Sequence, residues 1–172
     1  YTSLNEEEEY SIDVIQPEKI EFKQNSYEDG ENSIISFPEF LLLVLDVCTG
    51  GEQPASHYQP DKLIEKFDAL KTYFTAGEFY EKMLYYRLLL DYYTIRRDIK
   101  GGQGKYSLIV NGPKEDSDKL KQYQSMLYVS TEAFYNWLKP YLRKLEQDEL
   151  HSCAEMLAFL KKGDNERHSI LP

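Results

Sequence analysis

Apolar side chains recur at three- and four-residue spacing along most of the chain from residue 33 onward, the period of helices packed on one side. Ser36-Phe37-Pro38-Glu39 reads as an S-x-x-E capping box with proline in the first turn. It opens the apolar run Phe40 to Val47, which closes at Gly50-Gly51. Pro60 begins a second helix with Leu63, Ile64 and Phe67 on its inner side. A second capping box, Thr75-Ala76-Gly77-Glu78, starts the longest segment, predicted to run to about Ile99 before Gly101-Gly102. In it Phe79, Met83, Tyr86, Leu90 and Tyr93 make one stripe, and Tyr80, Leu84, Leu88 and Tyr92 an adjacent one. Two stripes predict a central helix with neighbours on several sides.

Three further helices follow. Asp116 or Ser117 caps the fourth, with Leu120, Tyr123 and Leu127 on one face. Ser130 or Thr131 caps the fifth, with Phe134, Leu138, Leu142 and Leu145 inward; Pro140 in its middle predicts a kink or a delayed start. The sixth, about Asp148 to Lys162, aligns Leu150, Cys153, Ala154, Leu157 and Leu160 and stops at Gly163. Lys105 to Val110 is strand-like and ends in the turn signal Asn111-Gly112-Pro113. Ile12/Val14 and Ile20/Phe22 alternate as two short strands around Pro17, with which it could pair. The expected fold is mainly α, an irregular bundle of about six helices with a minor short β-strand pair near the N-terminus. No self-similarity at a period of about 30 to 45 residues points to a solenoid.

Charge divides the chain. Residues 1–32 carry ten acids and two lysines, whereas the remainder is nearly neutral, within a total of -10 over 172 residues. Three parts result: an acidic lead-in over 1–32, a helical domain over 33–163, and a C-terminal tail over 164–172 leading to a further segment. The chain starts at Tyr1 rather than Met and reads as a piece of a longer protein. An overall anion is not an autonomous DNA-binding module, so any contact with DNA needs a local basic surface. Tyrosine, present 15 times, is expected to carry part of the core, each ring bringing a hydroxyl that needs a partner. Cys48 and Cys153 stand far apart without a CxxC, as in a reduced, cytoplasmic protein. No apolar run approaches the roughly 18 residues of a membrane span.

Candidate chemistry is sparse. His57, His151 and His168 are dispersed and form no metal-ligand spacing. Gly101-Gly102-Gln103-Gly104-Lys105 lacks the Walker spacing and precedes a strand rather than a helix, so it reads as a helix end and hairpin entry. No catalytic, cofactor-binding or metal-binding residue is assigned, and no cofactor is expected. The densest basic group beside aromatic residues is Arg96, Arg97, Lys100 and Lys105, next to Tyr85, Tyr86, Arg87, Tyr92 and Tyr93. These residues are the candidates for DNA contact. The competing reading packs the tyrosines in the core and leaves Arg96, Arg97 and Lys100 at the negative end of the long helix.

Three segments carry a resemblance. They are Asn32-Ser33-Ile34-Ile35-Ser36-Phe37-Pro38-Glu39-Phe40-Leu41-Leu42, then Tyr86-Arg87-Leu88-Leu89-Leu90-Asp91-Tyr92-Tyr93-Thr94-Ile95-Arg96-Arg97, then Gln124-Ser125-Met126-Leu127-Tyr128-Val129-Ser130 followed by Trp137-Leu138. In order and spacing they resemble the helical region of GmrSD-type restriction endonucleases, the family of unknown function numbered 262. The resemblance covers roughly residues 32 to 145. It implies a prokaryotic, cytoplasmic defence protein with a nucleotide-hydrolysing domain marked by DGQQR, a helical middle and often an HNH nuclease. Asp29-Gly30-Glu31-Asn32 shares only two residues with DGQQR, and no HNH constellation gathers around His151 or His168, so no catalytic residue carries over. Pro140 departs from the uninterrupted helix the resemblance implies. The expectation is a non-catalytic connector or regulatory domain whose partners are those flanking domains, with weak DNA contact and no membrane. The alternative is a stand-alone helical protein-interaction module.

Overall fold

The computed structural model describes residues 31–98, 105–110 and 112–169. Among them six α-helices and one small sheet form the expected mainly α architecture: β1 (Glu31–Ser33), α1 (Phe37–Cys48), α2 (Leu63–Leu70), α3 (Ala76–Tyr93), β2 (Arg96–Asp98), β3 (Tyr106–Ser107), α4 (Lys114–Val129), α5 (Phe134–Glu146) and α6 (Cys153–Ser169). The strand candidates at Ile12/Val14 and Ile20/Phe22 lie outside the described residues.

Both predicted capping boxes close. Ser36 Oγ accepts the Glu39 N–H at 3.3 Å while Glu39 Oε2 accepts the Ser36 N–H at 2.7 Å. Thr75 and Glu78 repeat the exchange at 3.2 and 2.7 Å. Each box satisfies two amides that have no partner inside the helix. α1 ends where Gly51, at φ +76°, donates to the Asp46 carbonyl at 2.8 Å. That backbone region strains an L residue, and a Cβ there would meet the Arg143 guanidinium.

The core forms where α1 packs on α2 and α3, α3 on α5, and α5 and α4 on α6. Phe40, Leu42, Leu43 and Leu45 of α1 are almost wholly buried, with Leu120 and Leu127 of α4 and Trp137, Leu138 and Leu142 of α5. Tyr86 and Tyr141 are also among the largest fully buried side chains, as the composition required. Cys48 and Cys153 pack with this apolar cluster.

Several expectations need correction. α3 stops at Tyr93, six residues before the predicted end, and residues 96–98 become a strand. β2 is the middle strand of an antiparallel sheet ordered β1-β2-β3, with Asn32 opposite Arg97 and Arg97 opposite Tyr106. The physical cause is Gln124: its Oε1 accepts the Ile95 N–H at 2.9 Å, removing that amide from the helical ladder, while Thr94 turns extended. Among the described residues the second stripe of α3 is not covered either. Tyr80, Leu84, Leu88 and Tyr92 are each about half exposed, because α1 and α5 pack on the other side of the helix. Ile64, expected inward, is 75% exposed.

Helix ends differ as well. α4 starts at Lys114 without a side-chain cap, with Glu115 and Asp116 in its first turn where the dipole favours acids. Ser130 closes α4 instead of opening α5: its hydroxyl donates to the Leu127 carbonyl at 2.6 Å. α5 contains Pro140 and nonetheless runs as a helix from Phe134 to Glu146. α6 runs through Gly163 to Ser169, where Asp164 pairs with Arg167 and His168 across the next turn.

Candidate functional site

The three described candidates for DNA contact, Arg96, Arg97 and Lys105, do not share one hollow. Arg96 and Arg97 lie on β2, a strand, so they do not complement a helix C-terminus as the competing reading supposed. Lys105 directly precedes β3, and its carbonyl accepts the Asp98 N–H at 2.9 Å. Lys100 lies outside the described residues.

Arg96 and Arg97 border a cavity of about 520 Å³ together with Arg87, Tyr128, Phe37 and the Asn32–Ser36 backbone turn. Arg87 Nε holds Asp91 Oδ2 at 2.9 Å, and Arg96 Nη2 reaches Asp91 Oδ1 at 3.3 Å, so one carboxylate positions two guanidiniums. Arg97 is exposed. Lys105 borders a different and larger hollow of about 800 Å³, where Lys119 and Lys121 stand among Asp98, Glu115 and Asp118. Three acids against three bases give that hollow no net attraction for phosphate. The basic surface is therefore the arginine groove.

The aromatic neighbours also differ from expectation. Tyr86 is buried, its hydroxyl donating to Glu146 Oε2 at 2.5 Å, and burial pushes that hydroxyl's pKa well up, with Glu146 adding to the effect. Tyr93 packs against the core, and its carbonyl accepts two bonds. Tyr85 and Tyr92 are exposed on another side of α3. The rings beside the arginines are Tyr128 and Phe37, the latter 62% exposed. Arg87 is already named beside this group in the sequence, and its i,i+4 spacing to Asp91 signals the ion pair. Phe37 gave no such signal, since a residue opening an apolar helix reads as core.

Two buried polar clusters position these elements. In the first, Gln124 is fully buried at the junction of α3, β2, α4 and α5. Besides accepting the Ile95 amide, its Nε2 donates to the Tyr93 carbonyl at 3.0 Å and to Tyr141 Oη at 3.3 Å, and Tyr141 Oη donates to the same carbonyl at 2.9 Å. In the second, the buried Asp46 carboxylate accepts the Gln53 N–H at 2.9 Å, Lys139 Nζ at 2.8 Å and the Tyr58 hydroxyl. Lys139 also donates to the Gly51 carbonyl at 3.1 Å, and the Tyr58 ring stacks on Tyr135 with centroids 4.5 Å apart. His57, adjacent and 1% exposed, has Nε2 at 2.8 Å from the Leu42 carbonyl. Asp46, Gln53, Tyr58 and Lys139 join α1 to the 51–58 loop and α5, a structural task.

Among the described residues no group of three or more His, Cys, Asp or Glu side chains could hold a metal ion, and no helix is long and apolar enough to cross a membrane. His151 and His168 are exposed, each beside an aspartate. The chain matches no protein-family model, no curated protein and no solved structure.

Proposed function

We propose that this chain is a non-catalytic helical connector of a GmrSD-type, modification-dependent DNA restriction protein, seated between a nucleotide-hydrolysing domain and an HNH nuclease domain of a prokaryotic cytoplasmic parent. The observation that supports this reading is where the three resembling segments meet. Residues 32–42 enter the fold through β1 and α1, residues 86–97 form the end of α3 and β2, and residues 124–130 lie on α4. They are joined by the β1–β2 pairing and by Gln124 holding Ile95. Such a junction suits a domain that carries a conformational state from one neighbour to another, because displacing β2 disturbs the buried Gln124 bonds on which α3, α4 and α5 all depend. The arginine groove beside it is the surface offered to a phosphate backbone.

The coding sequence on either side tests the assignment first: DGQQR upstream or an HNH segment downstream is expected, and a gene with neither sinks it. In the parent protein, Gln124→Ala is then expected to leave nucleotide hydrolysis intact and reduce cleavage of modified DNA. Equal loss of both activities, with the fold retained, would count against a connecting role. Nucleotide or DNA hydrolysis by the purified chain, abolished by changing one of its own acids, would overturn the non-catalytic reading.

A further inference from the structure

We infer that the arginine groove is the docking surface for the chain's own acidic lead-in, residues 6–14, within the same molecule. The surface is mixed in character: Arg87, Arg96 and Arg97 border it together with Tyr128 and Phe37, whose ring is 62% exposed. Among the described residues no acid lines it. The nearby carboxylates are engaged or lie beyond it. Asp91 is shared by Arg87 and Arg96, and Glu39 accepts the Ser36 amide. Glu31 and Asp98 stand opposite each other in register, one step past Asn32 and Arg97. Three guanidiniums against Asp91 and Glu39 leave one positive charge in excess, and Arg97 is the exposed member.

The ligand that fits such a surface carries carboxylates beside apolar side chains. A phosphate backbone answers the arginines but gives Phe37 nothing apolar to pack against. In the lead-in, Glu6-Glu7-Glu8-Glu9 runs directly into Tyr10, Ile12 and Val14, which alternate with Ser11 and Asp13. Its carboxylates suit guanidiniums through charge-assisted hydrogen bonds, and its apolar side chains suit Phe37 and Tyr128. The charge contrast is strong: residues 1–30 hold nine acids and two lysines, whereas residues 31–172 hold 21 acids and 18 bases. Position along the chain favours the same occupant. The lead-in joins the fold at β1, and Asn32 to Ser36, which follow at once, form one wall of the groove. Glu9 lies 23 residues before Asn32, so at roughly 3.3 Å per residue the chain is long enough to return to that wall. The encounter is then intramolecular, at an effective concentration on the order of millimolar. A polyanion from outside has to displace the segment before it reaches Arg97. The inference rests on the groove and the lead-in sequence and is independent of the restriction reading.

Amide resonances of the full chain test it. Changing Glu6→Gln, Glu7→Gln, Glu8→Gln and Glu9→Gln together alters no residue of the described fold. This variant is expected to shift the amides of Ile35, Phe37, Arg97 and Tyr128 while those of α6 stay in place. Raising salt to about 1 M, where the screening length is about 3 Å, should move the unchanged chain's groove resonances toward those of the variant. In an Arg97→Glu background the same four changes should shift the groove at least several-fold less. Nuclear Overhauser contacts between the Phe37 ring and the methyl groups of Ile12 or Val14 are expected in the unchanged chain and lost in the variant. Groove resonances that ignore the four changes, or shifts as large in the Arg97→Glu background, overturn the proposal. Shifts that grow with chain concentration also overturn it, since they assign the segment to the groove of a second copy.

Discussion

Arg167 of α6 occupies the carbonyl that Pro140 leaves unpaired. A proline inside a helix has no N–H to give the carbonyl four residues before it, here Asn136, and Arg167 Nη1 donates to that oxygen at 3.2 Å. The second guanidinium nitrogen lies 3.6 Å from Asp164, which holds the side chain in place. An irregularity in α5 has thus become an attachment point for α6, and the helix continues to Glu146.

The coupling is measurable. Arg167→Met is expected to cost about 1 kcal/mol in urea unfolding, the net worth of a typical hydrogen bond. In a Pro140→Ala background the carbonyl regains its helical partner, so the same change should cost less. A double-mutant cycle with no interaction energy would refute the compensation.

Asp46 and Lys139 provide a larger effect. The carboxylate is fully buried and the lysine 17% exposed, so removing one member strands a charge out of water. Lys139→Met is expected to destabilise the chain by roughly 3 to 5 kcal/mol, more than replacing any exposed lysine of α4. Urea midpoints for Lys139→Met and for Lys119→Met make the comparison; equal midpoints would show that Tyr58 and the Gln53 amide suffice for Asp46.

The sequence revealed helices where side chains report on their own neighbours, and failed where distant partners decide. Ser36/Glu39 and Thr75/Glu78 satisfy each other three residues apart, so both helix starts were visible in the pattern. The end of α3 depends on Gln124, 29 residues away, and no local rule announces it. Periodicity also shows that Tyr80, Leu84, Leu88 and Tyr92 share a side of α3, but not whether any element covers them. For the basic group, the residue types were legible and their separation into two hollows was not, because that depends on the β2–β3 pairing around Arg97 and Tyr106.

Acid sensitivity should trace in part to His57. Burial lowers its imidazole pKa, against the opposing pull of the Leu42 carbonyl. The unfolded chain, with the ordinary value of about 6.5, then takes up a proton first as pH falls. The stability associated with neutral His57 is complete above pH about 6.5 and is lost progressively below it. His57→Gln, whose amide can still donate to Leu42, is expected to flatten the stability profile between about pH 6.5 and 5; an unchanged slope would remove His57 from the account.

At the alkaline end the sign reverses. Burial, followed by the Asp46 carboxylate, raises the Tyr58 hydroxyl pKa, and burial, followed by Glu146, raises that of Tyr86. Unfolded tyrosine ionises near 10, so the folded state retains protons that the unfolded chain gives up, and stability falls as pH rises above about 10. Tyr86→Phe should be less stable at neutral pH yet lose less between pH 10 and 11, as followed by denaturant midpoints. A loss as steep as that of the unchanged chain would argue against it.

The arginine groove makes the last prediction, which separates two roles on adjacent residues of one strand. Arg96 is partly buried and pairs with Asp91, so Arg96→Ala is expected to lower the thermal midpoint of the chain. Arg97 is exposed on the same strand and borders the groove, so Arg97→Ala should leave that midpoint nearly unchanged. If the parent protein lays a duplex backbone along this groove, Arg97 neutralises one phosphate. Each such contact contributes about 0.9 to the magnitude of the slope of log affinity against log salt. The expected result for Arg97→Ala in the parent is a slope shallower by about one, equally for modified and plain duplexes, because a phosphate contact carries no base information. Lys105→Ala, in the hollow where acids balance bases, should leave the slope where it was. A slope unchanged by Arg97→Ala, in protein whose helicity is intact, would take the groove out of DNA contact and leave Arg87 and Arg96 as the ion-paired support of the β1–β2 junction.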